Sequence, residues 1–163
     1  TQMVTSNEQH EFYILENMAT KAAADILKEM TQYNAAKILA ELASYYAANI
    51  LAAMNLYDAA YILENMNQYD AGCILATMAK DDAAYILEKM AKYDVETAAN
   101  ILAAMGKQSA GKILAEMAQK HTKAADILAE MDQYHAANIF AAMDQFSTKT
   151  AAKIFAAIEK LNK

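Results

Sequence analysis

Residues 59–70 read Ala59-Ala60-Tyr61-Ile62-Leu63-Glu64-Asn65-Met66-Asn67-Gln68-Tyr69-Asp70, and the same pattern recurs along the chain in twelve repeats. The repeats begin at positions 11, 23, 35, 47, 59, 71, 83, 98, 110, 124, 136 and 151, a spacing of twelve broken by extra residues around 95–97, 122–123 and 148–150. Position 4 is Ile in all twelve repeats, from Ile14 to Ile154. Position 5 is Leu or Phe, position 8 is mostly Met, and positions 1 and 2 are mostly Ala, with Gly72 and Gly111 as variants. A short fixed period of this kind is the signature of a stacked-repeat architecture.

Positions 1, 4, 5 and 8 share one helical face. An unbroken helix cannot use that face, because at ~100° per residue twelve residues return roughly 120° out of phase. The spacing therefore predicts one short helix per repeat and a bend between repeats. Asn34, Asp58, Asp70, Asp82 and Ser109 at position 12 have N-cap chemistry, and Thr97 and Thr150 take that place after two of the insertions. Gly106 reads as a glycine C-cap, with Asn55 and Asn67 as left-handed substitutes. The aromatic series Tyr33, Tyr45, Tyr57, Tyr69, Tyr93, Tyr134 and Phe146 at position 11 reads as packing between helices, and the Met series as core.

A helix of roughly ten residues is not stable alone in water. The repeats must stack, giving an all-α solenoid of about twelve short helices over residues 11–163, behind an N-terminal arm over 1–10 where Ser6 and Gln9 have capping-box spacing. The chain has 163 residues and a net charge of −6, and all fourteen of its basic residues are Lys. The absence of a basic stripe and of Arg argues against nucleic acid, and the lack of a polybasic segment against anionic membranes. No apolar run has the ~18–20 residues of a membrane span. No signal peptide is visible, and the first residue is Thr1, as expected of a processed or excised chain; the reading is a soluble protein of either the cytoplasm or the periplasm. The single cysteine, Cys73, excludes an internal disulfide.

The segments Ala124-Ala125-Asp126-Ile127-Leu128-Ala129-Glu130-Met131-Asp132 and Ala136-Ala137-Asn138-Ile139-Phe140-Ala141-Ala142-Met143-Asp144 resemble the helical N-terminal domain of MgtE-type magnesium transporters. They are similar as well to the repeat of MotE-type flagellar stator chaperones. The resemblance runs from about Glu11 to Ile158 and implies a right-handed superhelix that contacts other protein modules. It also implies a helix start at position 9, followed by a Pro at position 10 where this chain has Gln32, Gln68, Gln133 and Gln145.

Asp25/Glu29 and Asp126/Glu130 place carboxylates at i, i+4, and Asp132 follows the second pair, an oxygen set of the kind Mg²⁺ or Ca²⁺ takes. Lys37/Glu41 and Lys112/Glu116 occupy the same positions with opposite charges, which points to a solvated face instead of a metal site. His10, His121 and His135 lack zinc-ligand spacing, His10 and His135 standing at the cap position and His121 in an insertion. No cofactor and no catalytic group is expected. The variable position 3 is the better functional candidate, since solenoids fix the core and vary the surface. Tyr61 and Tyr85, with Cys73 between them in sequence, and Asn49, Asn100 and Lys112 form the expected partner surface; Tyr13 opens the same series. The function expected is a non-catalytic scaffold for a protein partner or for self-association. The alternative is a magnesium-responsive regulatory module.

Overall fold

The computed structural model describes residues 6–163, which form eleven helices: α1 (Ser6–Lys28), α2 (Gln32–Ala40), α3 (Ser44–Ala52), α4 (Leu56–Glu64), α5 (Gln68–Thr77), α6 (Lys80–Tyr93), α7 (Val95–Ala104), α8 (Lys107–Lys120), α9 (Ala124–Glu130), α10 (Gln133–Phe146) and α11 (Thr148–Leu161). Residues 1–5 of the expected arm, and the side chains of Ser6, Gln9 and Tyr13, lie outside the described residues. None of the helices is long and apolar enough to cross a membrane.

Each repeat from the third onward supplies one helix, but repeats 1 and 2 share α1. The bend expected at every junction is missing there. Repeat 1 carries Glu11 and Phe12 in place of the alanine pair. The phase argument then shows its effect, because the apolar face of α1 turns away from the array. Ile14, Met18 and Ile26 are 44%, 63% and 64% exposed, whereas Ala24 and Leu27 are buried.

The short junctions turn at position 9. The chain tightens at the helix end, with the amides of Glu41, Ala53 and Asn65 donating to the carbonyls of Ile38, Ile50 and Ile62 at 3.1–3.2 Å. An extended residue at position 9 then redirects it, joined at three junctions by an extended Met at position 8, Met78, Met105 or Met131. Thr31, Ala43, Asn55, Asn67, Ala79, Gly106 and Asp132 all have φ between −65° and −56° and ψ between 130° and 151°. The N-cap is therefore at position 9, three residues before the position 12 residues expected to fill it. The side chains of Thr31, Asn55, Asn67 and Asp132 accept the cap hydrogen bonds, and Ala43, Ala79 and Gly106 cap with no side chain. Asp94 and Ser147 cap α7 and α11, accepting from the amides of Thr97 and Thr150, which are not caps themselves. Gly106, Asn55 and Asn67 begin helices and do not end them, and no described residue has a positive φ. Left-handed C-caps are not the device that turns this chain.

Helices stack by twos. α2, α4, α6, α8 and α10 form one row, and α1, α3, α5, α7, α9 and α11 form the other. The two buried glycines report how a row closes. A Cβ on Gly72 of α5 would lie 3.2 Å from the Ile101 carbonyl oxygen of α7, and one on Gly111 of α8 would lie 3.4 Å from the Met143 nitrogen of α10. Position 2 of a repeat thus faces the backbone around positions 4 and 8 two repeats on, which is why it must be small. Leu39, Leu51, Leu63, Leu75, Leu87, Leu102 and Leu114 at position 5 are fully buried. The Met series is core from Met54 to Met143, with Met66 half-buried, but Met18 and Met30 are exposed.

The position 11 aromatics are not core. Tyr33, Tyr45, Tyr57, Tyr69, Tyr93, Tyr134 and Phe146 are all exposed. With the helix starting at position 9, position 11 lies two residues, or about 200°, from the buried Ala at position 1 and so points outward. The three insertions follow α6, α8 and α10, and so fall at the ends of a single row.

Candidate functional site

The six expected surface residues are divided between the rows. Tyr61, Tyr85 and Lys112 lie on α4, α6 and α8, and Asn49, Cys73 and Asn100 lie on α3, α5 and α7. Tyr61, Lys112, Cys73 and Asn100 are exposed, while Asn49 and Tyr85 are half-buried. Cys73 separates Tyr61 from Tyr85 in sequence but belongs to the other row.

Around Tyr85 a different group assembles. The Tyr57 ring meets Tyr85 edge-on at 6.3 Å, and Tyr85 meets His121 edge-on at 6.1 Å. Such perpendicular contacts set the positive edge of one ring against the face of the next. Lys89, one turn along α6, places its Nζ 4.9 Å from the Tyr57 ring centre and 5.1 Å from that of Tyr85, within cation–π range. The local fold aims these groups. Asn55 accepts from the Tyr57 amide at 2.8 Å and starts α4 there, and His121 ends α8, its amide bonded to the Met117 carbonyl at 2.7 Å. The hydrogen bond and the charge of Lys89 hold the Tyr57 hydroxyl below the ordinary tyrosine value, and the same contact raises Lys89. The result is an aromatic and cationic ladder across α4, α6 and α8. Tyr57 and His121 were not legible as members, one read as inter-helix packing and the other as a loop residue. Stacking by twos is the signal that unites them.

Beneath the ladder is a buried carboxylate that the repeat pattern does not mark. Glu88 of α6 is 4% exposed and accepts from the Thr122 hydroxyl at 2.9 Å, the Thr122 amide at 3.2 Å and the Lys123 amide at 2.9 Å. It thereby supplies the start of α9, whose Lys123 cap has no side-chain hydrogen bond of its own. A buried carboxylate needs this degree of satisfaction. One helix pair earlier, burial and then the charge of Asp94 raise the half-buried Glu64 carboxyl. In both cases a long junction reaches position 6 of the preceding helix in its row.

Asp126 and Glu130 do share a surface hollow of about 380 Å³, lined also by Ala91, Val95, Lys123, Ala129, Leu161 and Asn162. Lys123 lies 3.9 Å from Asp126 there. Asp132 is not part of it. Its carboxylate caps α10, accepting from the His135 amide at 2.9 Å and meeting His135 Nδ1 at 2.6 Å. Those bonds hold Asp132 below the usual carboxylate range. Asp25 pairs with Lys28 at 3.8 Å. Among the described residues no three His, Cys, Asp or Glu side chains converge as a metal site would require.

The sequence profile of the MgtE intracellular N domain matches residues 2–96. No curated protein and no solved structure matches the chain. The profile spans more than half of the residues, including the N-terminal repeats in which the bend at position 9 first appears, and the chain belongs to the MgtE intracellular N domain family.

Proposed function

We propose that the chain is a non-catalytic interaction module, a solenoid that presents helix-surface positions to a protein partner or to a second molecule of itself. One observation supports this reading: through the middle of the array the recurrent residues at positions 1, 2, 4, 5 and 8 are mostly buried, the recurrent aromatic at position 11 is exposed, and position 3 is varied and largely exposed. Aromatic side chains held at fixed spacing on a rigid row suit partner recognition, since such residues are enriched at interfaces and lose little freedom on binding. The test compares wild type with a Tyr61→Ala/Tyr85→Ala variant in quantitative cross-linking and pulldown. Loss of a defined partner in the variant supports the surface; equal recovery removes it.

The second reading is a module responsive to magnesium, which the family match favours because the family is that of a magnesium transporter's intracellular domain. Asp126 and Glu130 lining one hollow are the residues it would use. A melting shift of several degrees in millimolar Mg²⁺, absent in Asp126→Asn/Glu130→Gln, is its expected result. An unchanged melting curve with both Mg²⁺ and Ca²⁺ rejects it.

A further inference from the structure

We infer that the two ends of the array bind each other, so that molecules associate head to tail with a second molecule of this same chain as the occupant of each end. The proposal deepens the self-association half of the preceding reading. Within the array, the small residue at position 2 receives the positions 4 and 8 of the helix two repeats on. Position 2 is buried in repeats 2 to 10, from Ala24 to Ala125, and exposed only in the last two, at Ala137 and Ala152. Position 4 shows the reverse. Ile26 and Ile38 are 64% and 42% exposed, and every position 4 Ile from Ile50 to Ile154 is buried. Met30 and Leu42 at position 8 are exposed with them.

One end therefore carries the protruding half of the internal contact and the other end the receiving half. The Ile26 face of α1, with Met30 just beyond its end, continues the odd row when set on Ala152 of α11, where Phe155 is a further apolar side chain, 54% exposed. This is the interface that already joins α9 to α11, repeated once more between molecules. Charge agrees. Residues 6–30 carry five carboxylates and two lysines, whereas residues 148–163 carry four lysines and one carboxylate. Opposite charges on the two ends favour the head-to-tail encounter and oppose pairing of like ends. Because the patches differ, the contact is heterologous and propagates into a ring or an open filament.

Sedimentation velocity of the whole chain, from micromolar to millimolar concentration, tests this. Wild type is expected to sediment as a concentration-dependent series of oligomers that dissociates as salt is raised. Ile26→Asp and Ala152→Asp alter exposed side chains, and circular dichroism with a melting curve confirms that each variant folds. Each should weaken self-association by about tenfold or more. Each keeps one intact end, so a mixture of the two should form a one-to-one complex that grows no further. A wild type that is monomeric throughout overturns the proposal. So does association lost in Ile26→Asp but kept in Ala152→Asp, the mark of like ends pairing. A monomeric wild type that still loses a partner through Tyr61→Ala/Tyr85→Ala leaves the interaction reading standing and removes only the end-to-end contact.

Discussion

Ile26 and Ile86 hold the same position of the same repeat, yet Ile86 is fully buried and Ile26 is 64% exposed. Their own repeats are similar, Ala23-Ala24-Asp25-Ile26-Leu27 against Ala83-Ala84-Tyr85-Ile86-Leu87. What differs is the neighbour two repeats earlier, present beneath α6 as α4, whereas no described helix lies beneath repeat 2. The repeat encodes a capacity to bury an Ile–Met face, and stacking decides whether that capacity is used. Stability in such an array is accordingly a sum of contacts between neighbours and is smallest at an uncovered end.

The largest expected effect separates these two sites. Ile86→Ala should destabilise the chain by about 2–5 kcal/mol, since it leaves a cavity in a packed row. Ile26→Ala should stay within roughly 0.5–1 kcal/mol, as exposed substitutions do. Urea denaturation of both variants measures the gap, and similar losses would mean that the first repeats are as well covered as the centre. Next come the two kinds of junction. Gln145 lies in the last turn of α10, where proline removes a helix hydrogen bond and meets the preceding turn, so Gln145→Pro should cost about 3 kcal/mol. Gln68 is the first residue of α5 and follows the extended Asn67, so Gln68→Pro should be neutral or stabilise by about 0.4–1 kcal/mol. The same denaturation curves decide this, and a loss at Gln68 would contradict the position 9 cap.

A smaller change is expected at Glu88. Glu88→Gln presents an amide to amides that need acceptors and should cost about 1–3 kcal/mol. Hydrogen exchange should report the loss first at the start of α9, and uniform exchange along the chain would show that Glu88 does not hold that junction in particular. The smallest effect is acid sensitivity. Hydrogen bonds from Thr97 and His135 hold the Asp94 and Asp132 carboxyls low. Their contribution is present above the ordinary aspartate value of about 3.9 and is lost as pH falls through the lower folded values. The melting temperature should therefore drop below about pH 4. In Asp94→Asn/Asp132→Asn, which keeps a cap oxygen but no charge, the drop should be shallower; an unaltered acid profile would assign it to other carboxylates.

The repeat itself was legible, because Ile at position 4 recurs in all twelve repeats and is followed in each by Leu or Phe, even across the three insertions. So was the all-helical stacking, which follows from the phase of a twelve-residue period. The cap was misplaced for a specific reason. Asp58, Asp70 and Asp82 have stronger N-cap chemistry than Ala43, Ala79 or Gly106, yet the junction asks only for extended backbone at position 9, a conformation open to any of them. The acidic residues at position 12 instead sit in the first turn of α4, α5 and α6, where negative charge meets the positive end of the helix dipole. The resemblance to the magnesium-transporter domain had implied position 9, through a proline this chain lacks. The ladder of Tyr57, Tyr85, Lys89 and His121 was hidden because it joins residues from repeats 4, 7 and 9, and no spacing within one repeat reveals that helices meet by twos.

Stacking by twos also sets a rule of inheritance for the array. Losing a single repeat from the middle would move every later helix into the opposite row, and losing the repeat of α7 in particular would set α6 and α8 in different rows and part Glu88 from the junction it holds. Losing two would leave each remaining helix in its row. Duplication and deletion in this lineage are thereby channelled into pairs, and the unit that can be gained or lost without rebuilding the molecule is twice the unit that can be read in the sequence.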